Sequence, residues 1–144
     1  MGSYNEQFER VKRLLKRIEN QNRDQIDYED DLWFFFQNAW HLKDWIENDA
    51  SLSVATRNDI EKICEAYPRI MICADLANRT KHSELTRKIR TGAKHTRTDV
   101  TIKIGIGSEY KYTITDKDKT EYDALELAKG IVTDWEEIIK DHVR

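Results

Sequence analysis

The segment from Leu32 to Ile46 constrains the fold more than any other part of this chain. Ten of its fifteen residues are apolar, among them Trp33, Phe34, Phe35, Phe36, Trp40 and Trp45. A helical stretch with apolar groups on nearly every side must be covered by other elements on most of its faces. At about 100° per residue, only Gln37, His41 and Asp44 fall together on a polar strip. The pattern predicts a central helix over about residues 28–48. Asp27 is its expected N-cap, and Glu29, Asp30 and Asp31 suit the positive end of the helix dipole.

Four further helices are expected around it. Residues 5–21 place Phe8, Val11, Leu15 and Ile18 on one stripe at spacings of three and four, with Lys and Arg elsewhere. The polar run from Asn20 to Asp27 reads as a loop. A weaker stripe of Val54, Ile60, Ile63, Cys64 and Tyr67 marks a helix over 53–67. The single proline, Pro68, ends it and suits the first turn of a fourth helix over 68–85. From Thr86 to Asp99 the pattern fails, Gly92 interrupts it, and a loop or frayed helical extension is expected. Leu125, Ala128, Val132, Trp135 and Ile139 mark a last helix over 120–142.

Before that last helix the periodicity changes to two. Val100, Ile102, Ile104 and Ile106 alternate with polar or small residues, and so do Tyr110, Tyr112 and Ile114. This predicts a β-hairpin over 99–116 turning near Gly107-Ser108. A two-residue Gly-Ser turn would set Ile106 against Glu109 and mismatch the faces, so a three-residue loop fits better. The fold class is therefore mainly α: one domain, a helical bundle of about five helices with a β-hairpin inserted before the last.

Composition narrows the setting. At 144 residues the chain is one domain's worth, and although 35% of it is charged, its apolar residues are clustered as a folded core requires. Cys64 and Cys73 fall in apolar helical segments with no paired His and read as buried thiols. No leader-like apolar run and no stretch near the ~18 residues of a membrane span occurs, so a cytoplasmic protein with no membrane contact is expected. Neither a phosphate loop nor metal-finger spacing appears, and no cofactor is expected.

Two features carry functional chemistry. On the fourth helix Asp75, Asn78 and His82 lie at i, i+3 and i+7, within about 60° of the circumference, where polarity enters an otherwise apolar helix. A His oriented by an amide or carboxylate is what general acid–base chemistry needs. Equally, such a patch can be a half-exposed helix face whose groups satisfy one another, with Asp75 and Arg79 paired at i, i+4. The second feature is charge. Residues 79–97 hold Arg79, Lys81, Arg87, Lys88, Arg90, Lys94 and Arg97 against Glu84 alone, a local +6. With the whole chain at −3, the remainder carries −9. A basic island in an acidic protein suits a phosphate backbone, a nucleotide or an acidic partner, unless the acidic remainder or a dimer mate neutralises it. No aromatic residue is interleaved with these basic ones, so base stacking is not supported from within the segment. His41 and His82, with Asp44 or Asp75, could share a metal only if their helices pack side by side, and no ligand spacing demands it; no metal is expected.

The pairing of Phe36-Gln-Asn-Ala-Trp40-His41-Leu-Lys-Asp44-Trp45 with Asp75-Leu-Ala-Asn78-Arg-Thr-Lys81-His82 resembles a group of small bacterial and phage proteins of unassigned function. They carry an aromatic-His-Leu-x-Asp-Trp helix followed by an Asp-Leu-x-Asn-x-x-Lys-His helix. More distantly, the bundle resembles the HEPN superfamily of toxin–antitoxin and phage-defence proteins. That resemblance implies a metal-independent RNase acting as a dimer, with an Arg and a following His as its signature. Here the sequence departs from the family: Arg79 and His82 have only two residues between them. Arg90 and His95 have four, with Gly92 inside. By the resemblance, Arg90 and His95 would act on a ribose 2′-OH and its phosphate, and loss of the signature would leave a non-catalytic helper.

The sequence thus leads to a nucleic-acid- or nucleotide-directed, HEPN-like protein of a defence or stress system, with RNase activity centred on His82, Asn78, Asp75, Arg90 and His95. The other reading is a non-enzymatic dimerisation or adaptor module. The expected partners are RNA or a nucleotide, together with a second copy of the chain or another protein.

Overall fold

The computed structural model describes residues 2–81, 90–103 and 107–144, without the side chains at 80, 81, 102 and 103. Among these, five helices and three strands follow in the order α1 (Tyr4–Glu19), α2 (Gln25–Glu47), α3 (Val54–Cys64), α4 (Pro68–Lys81), β1 (Lys94–Lys103), β2 (Gly107–Thr115), β3 (Glu121–Asp123) and α5 (Ala124–His142). The architecture is mainly α, with antiparallel strands before the last helix, as the periodicities predict.

The apolar segment does sit at the centre. α1, α3, α4 and α5 all pack against α2, whose Leu32, Phe35, Phe36, Ala39, Leu42 and Ile46 are completely buried. Each such side chain stabilises the fold by roughly 1.5–3 kcal/mol relative to exposure. The sheet covers the N-terminal half of α2, where the ring of Tyr28 lies 5.3 Å from that of Tyr110 and 5.7 Å from that of Tyr112. α1 contributes Phe8, Val11, Leu14 and Ile18, and its buried Gln7 donates to the carbonyl and the side-chain oxygen of Asn38 on α2. Arg17 and Arg23 converge on the buried carboxylate of Asp31, closing the seam between α1 and α2. Cys64 and Cys73 are buried free thiols as expected, and burial pushes the Cys64 thiol up to about 12.

Several boundaries differ from the sequence expectation, each for a local reason. α2 begins at Gln25, because Asp24 rather than Asp27 is the N-cap, accepting from the amides of Ile26 (2.9 Å) and Asp27 (3.4 Å). α3 ends at Cys64, and Ala66 and Tyr67 close a tighter turn, onto Ile63 and Cys64, ahead of Pro68. The helix expected to reach residue 85 is described to Lys81; its last expected turn lies outside the described residues. α5 begins at Ala124, capped by Asp123, because residues 121–123 pair with β2 as a third strand. The Asp116 carboxylate turns the chain into β3 by accepting from the amides of Asp118 and Thr120.

β1 starts at Lys94, five residues ahead of the expected hairpin. Its register runs from Lys94↔Thr115 to Lys103↔Gly107, with a bulge between His95 and Arg97. Three residues separate the paired Lys103 and Gly107, so Gly107 and Ser108 belong to β2 and not to the turn. Gly107, at φ +112°, lies where a Cβ would stand 2.0 Å from the side chain of Asn22. In the order β1-β2-β3, β1 is a sheet edge. The bulge and the charged Lys94, Arg97 and Asp99 are devices that discourage edge-to-edge pairing.

Gly130, in the interior of α5, lets Arg69 of α4 lie across the helix; a Cβ there would stand 2.5 Å from Arg69 Nη1. The guanidinium binds the buried carboxylate of Asp134 through Nε (3.0 Å) and Nη2 (2.7 Å). In Arg69→Ala, Gly130→Ala should stabilise by up to about 1 kcal/mol, the helix-propensity gain. In the wild-type background the same change should bring no gain, because it displaces the ion pair. Urea denaturation of the four proteins in this cycle provides the comparison.

Candidate functional site

Asp75 is completely buried on α4, at the point where that helix leaves the core. Such a carboxylate needs donors, and the returning chain supplies them. Its Oδ2 accepts from the amide of Thr91 (2.5 Å), the Thr91 hydroxyl (2.8 Å) and the amide of Gly92 (3.0 Å), and its Oδ1 accepts from the amide of Arg90 (3.3 Å). Gly92 takes φ +68°, which aims successive amides at one acceptor. Arg79, one turn along α4, does not pair with Asp75. Its guanidinium reaches the carbonyls of Ala93 (Nε, 2.8 Å) and Gly92 (Nη2, 3.5 Å). Residues 90–93 are thus bound to α4 at two points, to Asp75 fifteen to seventeen residues earlier in sequence and to Arg79 thirteen and fourteen residues earlier.

Arg90 is held as firmly. Its side chain is 13% exposed and lies 5.1 Å from the ring centre of Trp40 on α2. It stands 3.9 Å from Asp75 and 3.9 Å from Glu61 on α3. The Lys43 ammonium lies over the same Trp40 ring at 5.1 Å and pairs with Asp44 (2.8 Å) and Glu47 (3.7 Å). Burial works against the Lys43 charge, yet Asp44, Glu47 and Glu61 together hold its pKa above the ordinary value. Burial raises the Glu47 carboxyl, against the pull of Lys43. Two cations on one indole, ringed by acids, join α2, α3, α4 and the returning loop.

His95 sits on β1 rather than on a helix. Its ring is 5.7 Å from Trp33 and 5.1 Å from Tyr112, and its Nε2 lies 2.7 Å from the Thr98 hydroxyl. Trp33 and Trp40 are seven residues, about 10 Å of helix, apart on α2, so His95 and Arg90 pack on different turns of that helix. Lys94 is exposed, and Arg97, with a 54% exposed side chain, pairs with Asp99 at 3.1 Å. Asn78 is half-buried on α4. Lys81 closes α4, its side chain outside the description; His82, Arg87 and Lys88 lie wholly outside the described residues.

His41 is exposed on the polar strip of α2, and its neighbour Asp44 is taken by Lys43. Among the described residues no group of three or more His, Cys, Asp or Glu side chains is placed to hold a metal. No described helix is long and apolar enough to cross a membrane.

Trp33, Trp40, Glu61 and Thr91 all shape this region; in the sequence the two tryptophans read as apolar helix residues, and Glu61 and Thr91 carry no signal. Each acts across elements, and only the packing of α2 against the returning chain brings it in.

Thr91→Val removes one donor to a buried carboxylate and should cost about 1–3 kcal/mol, whereas Thr91→Ser, which keeps the hydroxyl, should cost well under half of that. Chemical denaturation distinguishes them; equal losses would mean that the hydroxyl–Asp75 bond contributes little.

Compared with protein-family models, curated proteins and solved structures, the chain matches none significantly.

Proposed function

We propose that this protein binds RNA or a nucleotide through the basic segment 79–97, as a HEPN-like member of a bacterial or phage defence or stress system. The observation that carries this reading is the clamp at the base of the segment. Asp75 and Arg79 hold residues 90–93 against α4, which fixes the described part of the basic segment, from Arg90 onward, on the body of the fold. Cations that directly follow a fixed stretch of chain are presented without the ordering entropy of a free tail. Beyond the clamp, Lys94 and Arg97 continue the positive charge on the exposed surface.

Binding is better supported than hydrolysis. Arg90 is engaged by Trp40, Asp75 and Glu61, and Asp75 by four donors, which leaves neither poised for proton transfer. The RNase form of the reading requires metal-independent cleavage, in the presence of chelator, that is lost in His82→Ala or His95→Ala while the fold persists. The second reading, an adaptor or dimerisation module, draws on the hairpin as its contact surface, where Val100 of β1 is 44% exposed while Tyr110, Tyr112 and Ile114 are buried in the chain's own core. Sedimentation showing a monomer at all concentrations would count against its dimeric form.

The binding experiment is fluorescence anisotropy of labelled RNA between about 50 and 200 mM salt. Affinity should fall steeply with salt. Charge reversal at Arg87, Lys88, Lys94 and Arg97 should reduce the log–log slope by about one for each phosphate contact removed. Unchanged affinity and slope in the fourfold variant would overturn the proposal.

A further inference from the structure

One edge of the sheet is long enough to take another strand. Among the described residues β1 has no strand on its outer side and runs for ten residues, whereas β3, at the opposite edge, has only three. Thr96, Arg97, Asp99, Val100 and Thr101 are all exposed. Val100 pairs with Tyr110 and shares its face of the sheet, yet it is 44% exposed where Tyr110 is buried. The helices therefore stop short of β1 at this point. Backbone N–H and C=O groups along such an edge suit a further strand, and the charges of β1 decide which strand that is.

For a second copy of β1, symmetry restricts the register. Antiparallel pairs alternate between hydrogen-bonded and non-bonded, so a twofold axis between identical strands must set one residue opposite its own copy. Among the registers centred on the middle of the strand, the one on Thr96 falls on the bulge. Centring on Arg97 opposes two guanidinium groups, centring on Asp99 opposes two carboxylates, and centring on Val100 places Arg97 opposite Lys103. Centring on Thr98 sets Arg97 of each copy opposite Asp99 of the other, Thr98 against Thr98, and Val100 against Thr96. No like charges then meet between residues 95 and 101. Opposite charges directly across a strand pair favour it, and like charges oppose it. Within each strand Arg97 already lies 3.1 Å from Asp99, with both side chains more than half exposed, so the four groups would close a ring of alternating charge.

From this pattern we infer that β1 is a homodimer interface, at which two copies join edge to edge, antiparallel about Thr98, and their three-stranded sheets become one. The charges that discourage other edge pairings select this one. The inference rests on the dimerisation reading above, to which it gives a surface and a partner, and does not require RNA binding. A ladder this short makes a reversible dimer.

Sedimentation equilibrium of the full chain, from about 1 µM to about 1 mM, measures the dimer dissociation constant. The proteins are the wild type, Arg97→Asp, Asp99→Arg and Arg97→Asp/Asp99→Arg, with circular dichroism as the check on the fold at these exposed positions. The wild type should dimerise reversibly. Each single change turns both opposed pairs into like pairs and should weaken dimerisation at least about tenfold. An equimolar mixture of the two single variants should recover it, because each 97–99 pair across the interface again joins opposite charges. The double variant should match the wild type. A wild type that stays monomeric throughout would overturn the inference together with the dimeric form of the reading it rests on. A wild-type dimer indifferent to the single changes, or losses that the mixture or the double variant fails to reverse, would overturn pairing through β1 and leave dimerisation by another surface standing.

Discussion

A buried carboxylate at the end of the buried part of a helix determines how the region beyond it is arranged. Asp75 has no access to water, and leaving it without donors would cost several kcal/mol. The chain returning at Arg90, Thr91 and Gly92 meets that need with three amides and a hydroxyl. The same contacts satisfy backbone donors in a stretch that belongs to neither helix nor sheet. One side chain thereby fixes the chain immediately ahead of β1, the strand that carries Lys94, His95 and Arg97.

The charge pattern takes on a different meaning once it is placed in three dimensions. As a linear run, residues 79–97 read as one positive island. In the fold, the guanidinium groups of Arg79 and Arg90 serve to fasten the loop, the first on carbonyls and the second among Trp40, Asp75 and Glu61. Internal neutralisation, which the acidic composition made an equal alternative, accounts for Arg90 beside Asp75 and Glu61, while Arg79 is held by carbonyl groups. Lys94 and Arg97 remain on the surface, the latter shared with Asp99. The basic segment is therefore part anchor and part display, and these two parts cannot be separated by counting charges.

Much of the fold was legible because burial leaves a period in the sequence. The stripe of Phe8, Val11 and Ile18, the crowded apolar run around Phe35, and the alternation through Tyr110, Tyr112 and Ile114 all mark buried faces directly. What could not be read has no such period. Residues 94–99 are polar on both sides, and the bulge near Thr96 breaks the alternation, so that part of β1 is specified by its partner β2. The strand at 121–123 is too short to carry a pattern, and its pairing with Thr113, Ile114 and Thr115 makes it a strand. At the candidate site, the importance of Asp75 was visible from polarity entering an apolar helix. Its partners were not, because a carboxylate can be satisfied by any amide the tertiary structure delivers. Hence the i, i+4 pairing with Arg79, sound as local geometry, gave way to contacts with residues 90–92.

The central claim is that Asp75 holds residues 90–92 in place. Native-state hydrogen exchange in Asp75→Ala, compared with wild type, tests it most directly. The amides of Thr91 and Gly92 should lose at least about ten times more protection than those of Ile131 and Trp135 in the core of α5, the effect of a local loss near 1.4 kcal/mol. A loss at Thr91 and Gly92 no larger than that in α5 would contradict the account.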